Sequence, residues 1–212
     1  GIMDWIVSVI AASLAVAAPL LYGALGEIFT QRSGIMNLGL EGVMLVGAAT
    51  SYIAAVNSQS LFVALLTCIL VGLVLGFLYA LLTVTLQANQ TVCGLAMVIF
   101  GQGLSGTIGK AYAGIATPVS FAKTAIPGLK SIPVLGEILF SQDILIYALY
   151  ILVPLAFIYI YKTRPGMRLR ALGENPGALD AMGYKVSAMR YLYVMAGTAI
   201  TALGGMYISL CY

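Results

Sequence analysis

The chain lacks histidine altogether, carries few charges, and has no cysteine pair at a metal-binding spacing. Only 8% of its 212 residues are Asp, Glu, Lys or Arg, against about 25% in an ordinary soluble domain. That is too few to cover a water-facing surface, which excludes a soluble globular protein. Cys68, Cys93 and Cys211 stand singly within apolar runs, as small packing residues do, and give neither a disulfide framework nor a metal site. No basic tract interleaved with aromatics marks a nucleic-acid surface. The N-terminus offers Asp4 where a signal peptide has a basic region. A phosphate-binding P-loop is missing as well, since it requires G-x-x-x-x-G-K-[ST]. The nearest stretch, LSGTIGKA, puts Leu104 in the place of the first glycine and Ala111 in that of the hydroxyl residue. Neither catalysis nor a bound cofactor is expected of this chain.

What it does contain is apolar: 61% hydrophobic residues and a mean hydropathy of +1.04. Charge-free runs at 5–25, 61–86, 91–109, 144–161 and 191–212 approach or exceed the roughly 20 residues that cross a bilayer. A sixth, 35–56, is interrupted only by Glu41. Alternating strand patterns are absent, so the expected fold class is all-α: one polytopic helical membrane domain over 1–212, with about six spans. The loop 162–190 holds six of the ten basic residues, Lys162, Arg164, Arg168, Arg170, Lys185 and Arg190. The positive-inside rule makes it cytoplasmic. Counting back puts 87–90 and 26–34 on the same side, and the N-terminus and 110–143 outside. Within the outer segment, IPGLKSIPVLGEILF suits a short surface helix, open to substrate capture or to simple connection, with connection favoured.

The cytoplasmic loop reads as a folded object. Asn175 suits an N-cap, Pro176 the first helical position, and Gly183 the residue just past a helix end. Between them Pro176–Met182 makes about two turns, with Ala178, Leu179, Ala181 and Met182 as an apolar surface and Glu174 and Asp180 as acceptors. Such a helix either anchors the loop at the interface or docks a cytoplasmic partner.

Two segments bear on that choice. LRALGENPGALDAMGYKVSAMRYLYVMAGTAITALGGMYISL resembles the cytoplasmic coupling loop of ABC-importer permeases in the nucleoside and simple-sugar branch. GEIFTQRSGIMNLGLEGVMLVGA is similar to the other signature of that branch, in its nucleoside-type form. The resemblance covers essentially the whole chain. It implies a permease subunit translocating nucleosides across the bacterial cytoplasmic membrane by alternating access. The implied partners are two cytoplasmic ATPases carrying ATP-Mg, a second permease subunit and an extracytoplasmic substrate-binding protein. It implies that Gly173, Glu174, Asn175, Pro176, Leu179, Met182 and Gly183 belong to the ATPase-coupling loop. Alternatives within the resemblance are a riboflavin or simple-sugar permease, or a truncated, non-transporting subunit. Members of that branch run longer, with further membrane helices after the coupling loop, so truncation at the C-terminus is expected.

Three polar residues within the spans stand out as candidates for the substrate route. Asn37 and Glu41 are four apart and are expected to share one helical face, with Gly34, Gly39 and Gly42 permitting close approach or a break. Placing a carboxylate at mid-bilayer costs about 2.5–3.5 kcal/mol on insertion scales, so intramembrane carboxylates default to function. The competing reading has Glu41 near the inner interface, bonded to a helix end or to Arg32. Gln102, among Gly101, Gly103 and Gly106, either meets solute or bonds a partner helix. Gly72, Gly76, Gly204 and Gly205 are read as helix-packing positions.

Overall fold

A computed structural model describes residues 1–58, 60–110, 123–125 and 141–211; the expected outer surface helix lies outside them. Six helices among these are long and apolar enough to span a membrane. They are α1 (Ile2–Arg32), α2 (Leu40–Ser58), α3 (Leu61–Ala80), α4 (Gln90–Lys110), α5 (Ile144–Lys162) and α8 (Val186–Cys211). Between α5 and α8 lie two shorter helices, α6 (Arg164–Glu174) and α7 (Pro176–Ala181). The helical architecture agrees with the sequence reading. The described residues also include a pair of three-residue strands, β1 (Lys123–Ala125) and β2 (Ser141–Asp143), antiparallel with Lys123 opposite Asp143.

Helix α8 is the most enclosed of the spanning helices, and α1, α2 and α3 all pack against it. Lipid tails are as apolar as leucine, so helix association inside a bilayer relies on close van der Waals contact rather than on hydrophobic burial. Small residues supply that contact. A Cβ added at Gly72 would lie 2.6 Å from the Ala199 Cα, and one at Gly76 would lie 2.7 Å from the Met195 Cα. At Gly205 it would meet the Met44 carbonyl oxygen at 2.0 Å. The packing role read for these glycines therefore holds.

Two boundaries differ from the sequence reading. Helix α1 runs on through Gly26–Arg32, which the sequence reading assigns to the connection at 26–34, and α2 starts at Leu40 rather than at Ile35. The chain between them is a non-helical break. Helix α3 ends in a five-residue π-helical turn, Leu81–Thr85, and Gln87 follows in the left-handed region at φ 53°. Asn89 then opens α4, its Oδ1 accepting from the N–H groups of Thr91 at 2.9 Å and Val92 at 3.1 Å.

The three segments assigned to the cytoplasmic side converge at one end of the bundle. Met36 in the break donates its N–H to Gln90 Oε1 at 2.8 Å. Arg190, at the end of the long basic loop, donates to the Ser33 carbonyl at 3.1 Å. The Thr85 and Tyr191 hydroxyls are also in contact. Alternating spans require these loops to share a side, and they do.

Candidate functional site

The break between α1 and α2 is built from Gly34 outward. Its φ of +95° lies in the left-handed region, which glycine enters without steric cost, and this turns the chain off the end of α1. Irregular backbone at membrane depth survives only where protein satisfies its polar groups. Here it does. Gly34 N–H donates to the Gln31 carbonyl at 3.0 Å and Ile35 N–H to that of Thr30 at 3.3 Å. Asn37 N–H donates to Glu27 Oε1 at 3.0 Å, and Gly39 N–H to Asn37 Oδ1 at 2.9 Å. The Tyr79 hydroxyl from α3 closes the group by reaching the Met36 carbonyl.

Asn37 is thus not on a helical face with Glu41. It precedes α2, is only 2% exposed, and uses its side chain to cap a turn, as short polar side chains do where the backbone leaves a helix. Its Nδ2 and the Glu27 Oε2 are both buried without a hydrogen-bond partner among the described residues. Glu27 was missed in the sequence because it fell in a supposed loop. The available signal was the unbroken helical pattern from Gly26 to Arg32, with neither Pro nor a turn dipeptide before Ser33-Gly34.

Glu41 lies in the first turn of α2, where a helix dipole favours a negative charge. It is exposed, and among the described residues it has no ion-pair or hydrogen-bond partner. The partner suggested for it, Arg32, donates instead to the Tyr161 hydroxyl. Glu41 sits at the edge of a groove of about 570 Å³ between α1, α2 and α8, lined by Leu20, Gly23, Met44, Ala48 and Ile208. The carboxylate is nearly the sole polar group there. Gln102 is exposed on α4 beside Gly103 and Gly106, whose surroundings are open, and it does not line that groove. The three residues read together from the sequence are therefore separate: one buried in the break, one on a groove, one on an open helix face.

The basic loop contains one more helix than the sequence suggested. Thr163 caps α6, its Oγ1 accepting from Gly166 N–H at 3.1 Å, and α6 folds back onto α5 so closely that a Cβ at Gly166 would fall 1.8 Å from the Tyr159 carbonyl oxygen. Leu169 and Leu172 are buried against Ile160 and Tyr193. Gly173 then crosses the end of α1, where a Cβ would lie 2.2 Å from the Arg32 carbonyl oxygen. Asn175 caps α7 as expected, its Oδ1 accepting from Ala178 N–H at 3.2 Å. The far end closes by paired bonds, Tyr184 N–H to the Leu179 carbonyl at 3.1 Å and Gly183 N–H to that of Asp180 at 3.0 Å. With Gly183 at φ +91°, this is a Schellman cap.

One assignment in this loop needs correcting. Leu179 does not belong to an outward apolar surface: it is 3% exposed and packs with Ile160, Leu169, Leu172 and Tyr193. A helix this short can present only one face to its own loop, and Leu179 is on it. Met182 is 72% exposed, and Glu174, Ala178, Asp180, Ala181 and Gly183 are exposed with it.

Six spanning helices, a satisfied break and a structured basic loop define a multi-pass helical membrane protein. Residues 9–212 match the family described as branched-chain amino acid transport system / permease component, and the chain belongs to that family. It is 38% identical to the guanosine ABC transporter permease protein NupQ of Bacillus subtilis and 32% identical to the nucleoside ABC transporter permease protein NupC of Lactococcus lactis, each over 93% of this chain. A putative glucose ABC transporter permease protein of Haloferax volcanii is 28% identical over 99% of it. The chain spans 65% of the length of each of these three relatives. No solved structure matches it.

Proposed function

We propose that the chain is a permease subunit of an ATP-binding-cassette importer that moves nucleosides across the bacterial cytoplasmic membrane by alternating access. Similarity to guanosine and nucleoside permeases at 38% and 32% identity supports the solute. Two cytoplasmic ATPases binding ATP-Mg drive the cycle, a second permease subunit completes the pore, and an extracytoplasmic binding protein delivers the solute. Helix α7 meets an ATPase through Met182 and its exposed neighbours, while Leu179 seats the helix on the loop. The observation that carries this reading is the joint between loop and break. Gly173 lies on the Arg32 carbonyl and Arg190 holds the Ser33 carbonyl, so a displacement of the loop moves the segment that positions Asn37 and, one turn on, Glu41. Glu41 and Gln102 are the residues proposed to face solute, and Asn37 shapes the gate between them and the loop.

A sugar is the second reading, favoured by the putative glucose permease relative at 28% identity. Uptake of labelled guanosine and labelled glucose by cells with and without the transporter separates the two. Loss of guanosine uptake alone on deletion supports the nucleoside, and loss of glucose uptake alone replaces it with the sugar.

A further inference from the structure

At the basic end of the bundle, where α1 runs beside α5, one aromatic ring carries two cations. The Tyr161 ring, near the end of α5, lies beneath the guanidinium groups of both Arg32 and Arg170, each with its central carbon 5.4 Å from the ring centroid. Arg32 also donates to the Tyr161 hydroxyl, and Arg170 Nε donates to the Ile160 carbonyl at 3.1 Å. Both groups are therefore fixed in place. Among the described residues neither is paired with a carboxylate; the ion pair found there joins the Gly1 amino group to Asp4. Two like charges held at one ring repel each other, and an anion close to them relieves that repulsion.

A groove of about 520 Å³ opens against Arg32 and the Tyr161 ring, between α1 and α5, and Arg170 reaches it through that ring. Gln31, Arg32 and Tyr161 form its polar end, and Leu25, Ile28, Val153 and Phe157 line its apolar length. Leu25 lies seven residues back from Arg32 and Val153 eight back from Tyr161, so the groove runs roughly 10–12 Å along the helices toward mid-bilayer. Arginine presents planar paired donors suited to phosphate oxygens. Basic pockets between spanning helices on the cytoplasmic side recognise anionic headgroups.

We propose that this groove binds an anionic phospholipid, with its phosphate on Arg32 and Arg170 and one acyl chain laid between α1 and α5. The site does not depend on which solute the protein carries. Inorganic phosphate would use the same two arginines but would leave the apolar length empty.

Native mass spectrometry of the full chain in mild detergent tests this. Retention is compared after titration with phosphatidylglycerol, phosphatidylcholine or inorganic phosphate. Phosphatidylglycerol is expected to be retained at least about tenfold better than phosphatidylcholine and not to be displaced by phosphate. Replacing both arginines, Arg32→Gln with Arg170→Gln, is expected to lower that retention about thirtyfold. Lys185→Gln, an exposed cation off the groove, is expected to leave it unchanged. Val153→Trp fills the apolar length without touching the arginines and is expected to reduce retention on its own, which decides the matter if the double variant fails to fold. Equal retention of the two lipids, displacement by phosphate, equal losses from Lys185→Gln and the arginine pair, or full retention in Val153→Trp would each overturn the site.

Discussion

Arg190 Nε donates a 3.1 Å hydrogen bond to the carbonyl oxygen of Ser33, 157 residues earlier in the chain. The bond joins the first turns of α8 to the last residue before Gly34 turns the chain away from α1. Through it the basic loop and the α1–α2 break form one joint, reinforced where Gly173 lies on the Arg32 carbonyl. The most enclosed helix of the bundle therefore begins at the point where loop motion would enter the membrane domain.

Gly173→Ala should open that joint. Its Cβ would sit 2.2 Å from a backbone oxygen, and such overpacking costs about 1–3 kcal/mol. Gly177→Ala, whose nearest neighbour would be an ordinary 3.7 Å away, serves as the control. Thermal unfolding in detergent should fall for the first and hold for the second; equal midpoints would mean that the close crossing carries no stability.

Leu179→Asp and Met182→Asp should fail in different ways. Losing a buried leucine costs about 2–5 kcal/mol, and an unpaired charge in its place costs more, so the loop of Leu179→Asp should unfold at lower temperature. Met182→Asp changes only an exposed side chain, so it should keep the stability and lose co-purification with the ATPases. Undiminished co-purification of Met182→Asp would make α7 an interfacial anchor.

The two carboxylates near the break should likewise separate. Glu27→Leu removes the acceptor for the buried Asn37 N–H, at about 1–3 kcal/mol. Glu27→Gln retains an acceptor and should be nearly silent. Glu41 has no partner among the described residues, so Glu41→Leu should leave the unfolding midpoint intact or raise it while reducing nucleoside uptake. Normal uptake in Glu41→Leu would remove Glu41 from the route.

Much of this structure was legible in the sequence, and the failures share a cause. Long apolar runs identify each spanning helix among the described residues, because a bilayer demands them, and Gly72, Gly76 and Gly205 mark close crossings. Asn175, Pro176 and Gly183 located α7 through local capping chemistry alone. Amphipathic α6 is hard to see in the sequence because Arg164, Arg168 and Arg170 count there as loop charge, while its buried side is only Gly166, Leu169 and Leu172. The break stays open in the sequence because Asn37 and Glu41 also fit a helical spacing. What excludes a helix there is the long-range set of partners, Glu27, Tyr79 and Gln90, and spacing does not encode them. Leu179 was turned the wrong way for the same reason: a six-residue helix has too few residues for its pattern to tell its inner face from its outer one.

Orientation can be checked with cysteines at exposed positions on opposite ends, Ser58→Cys and Ala178→Cys, after replacing Cys68, Cys93 and Cys211. An impermeant thiol reagent added to whole cells should label Ser58→Cys and spare Ala178→Cys. Reversed labelling would place the basic loop outside and exclude contact between α7 and a cytoplasmic ATPase.

Coupled import in proteoliposomes containing the complete transporter bears most directly on the proposed function. Labelled guanosine uptake and ATP hydrolysis are measured together for the wild type and for Arg190→Gln. The expected wild-type result is ATP-dependent guanosine uptake that other nucleosides inhibit and glucose does not. In Arg190→Gln, hydrolysis should persist while uptake falls at least about tenfold, since a hydrogen bond from a charged group contributes about 1.5–3 kcal/mol. Uptake inhibited by glucose and not by nucleosides, or uptake in Arg190→Gln equal to wild type, would contradict the proposed solute or the proposed joint respectively.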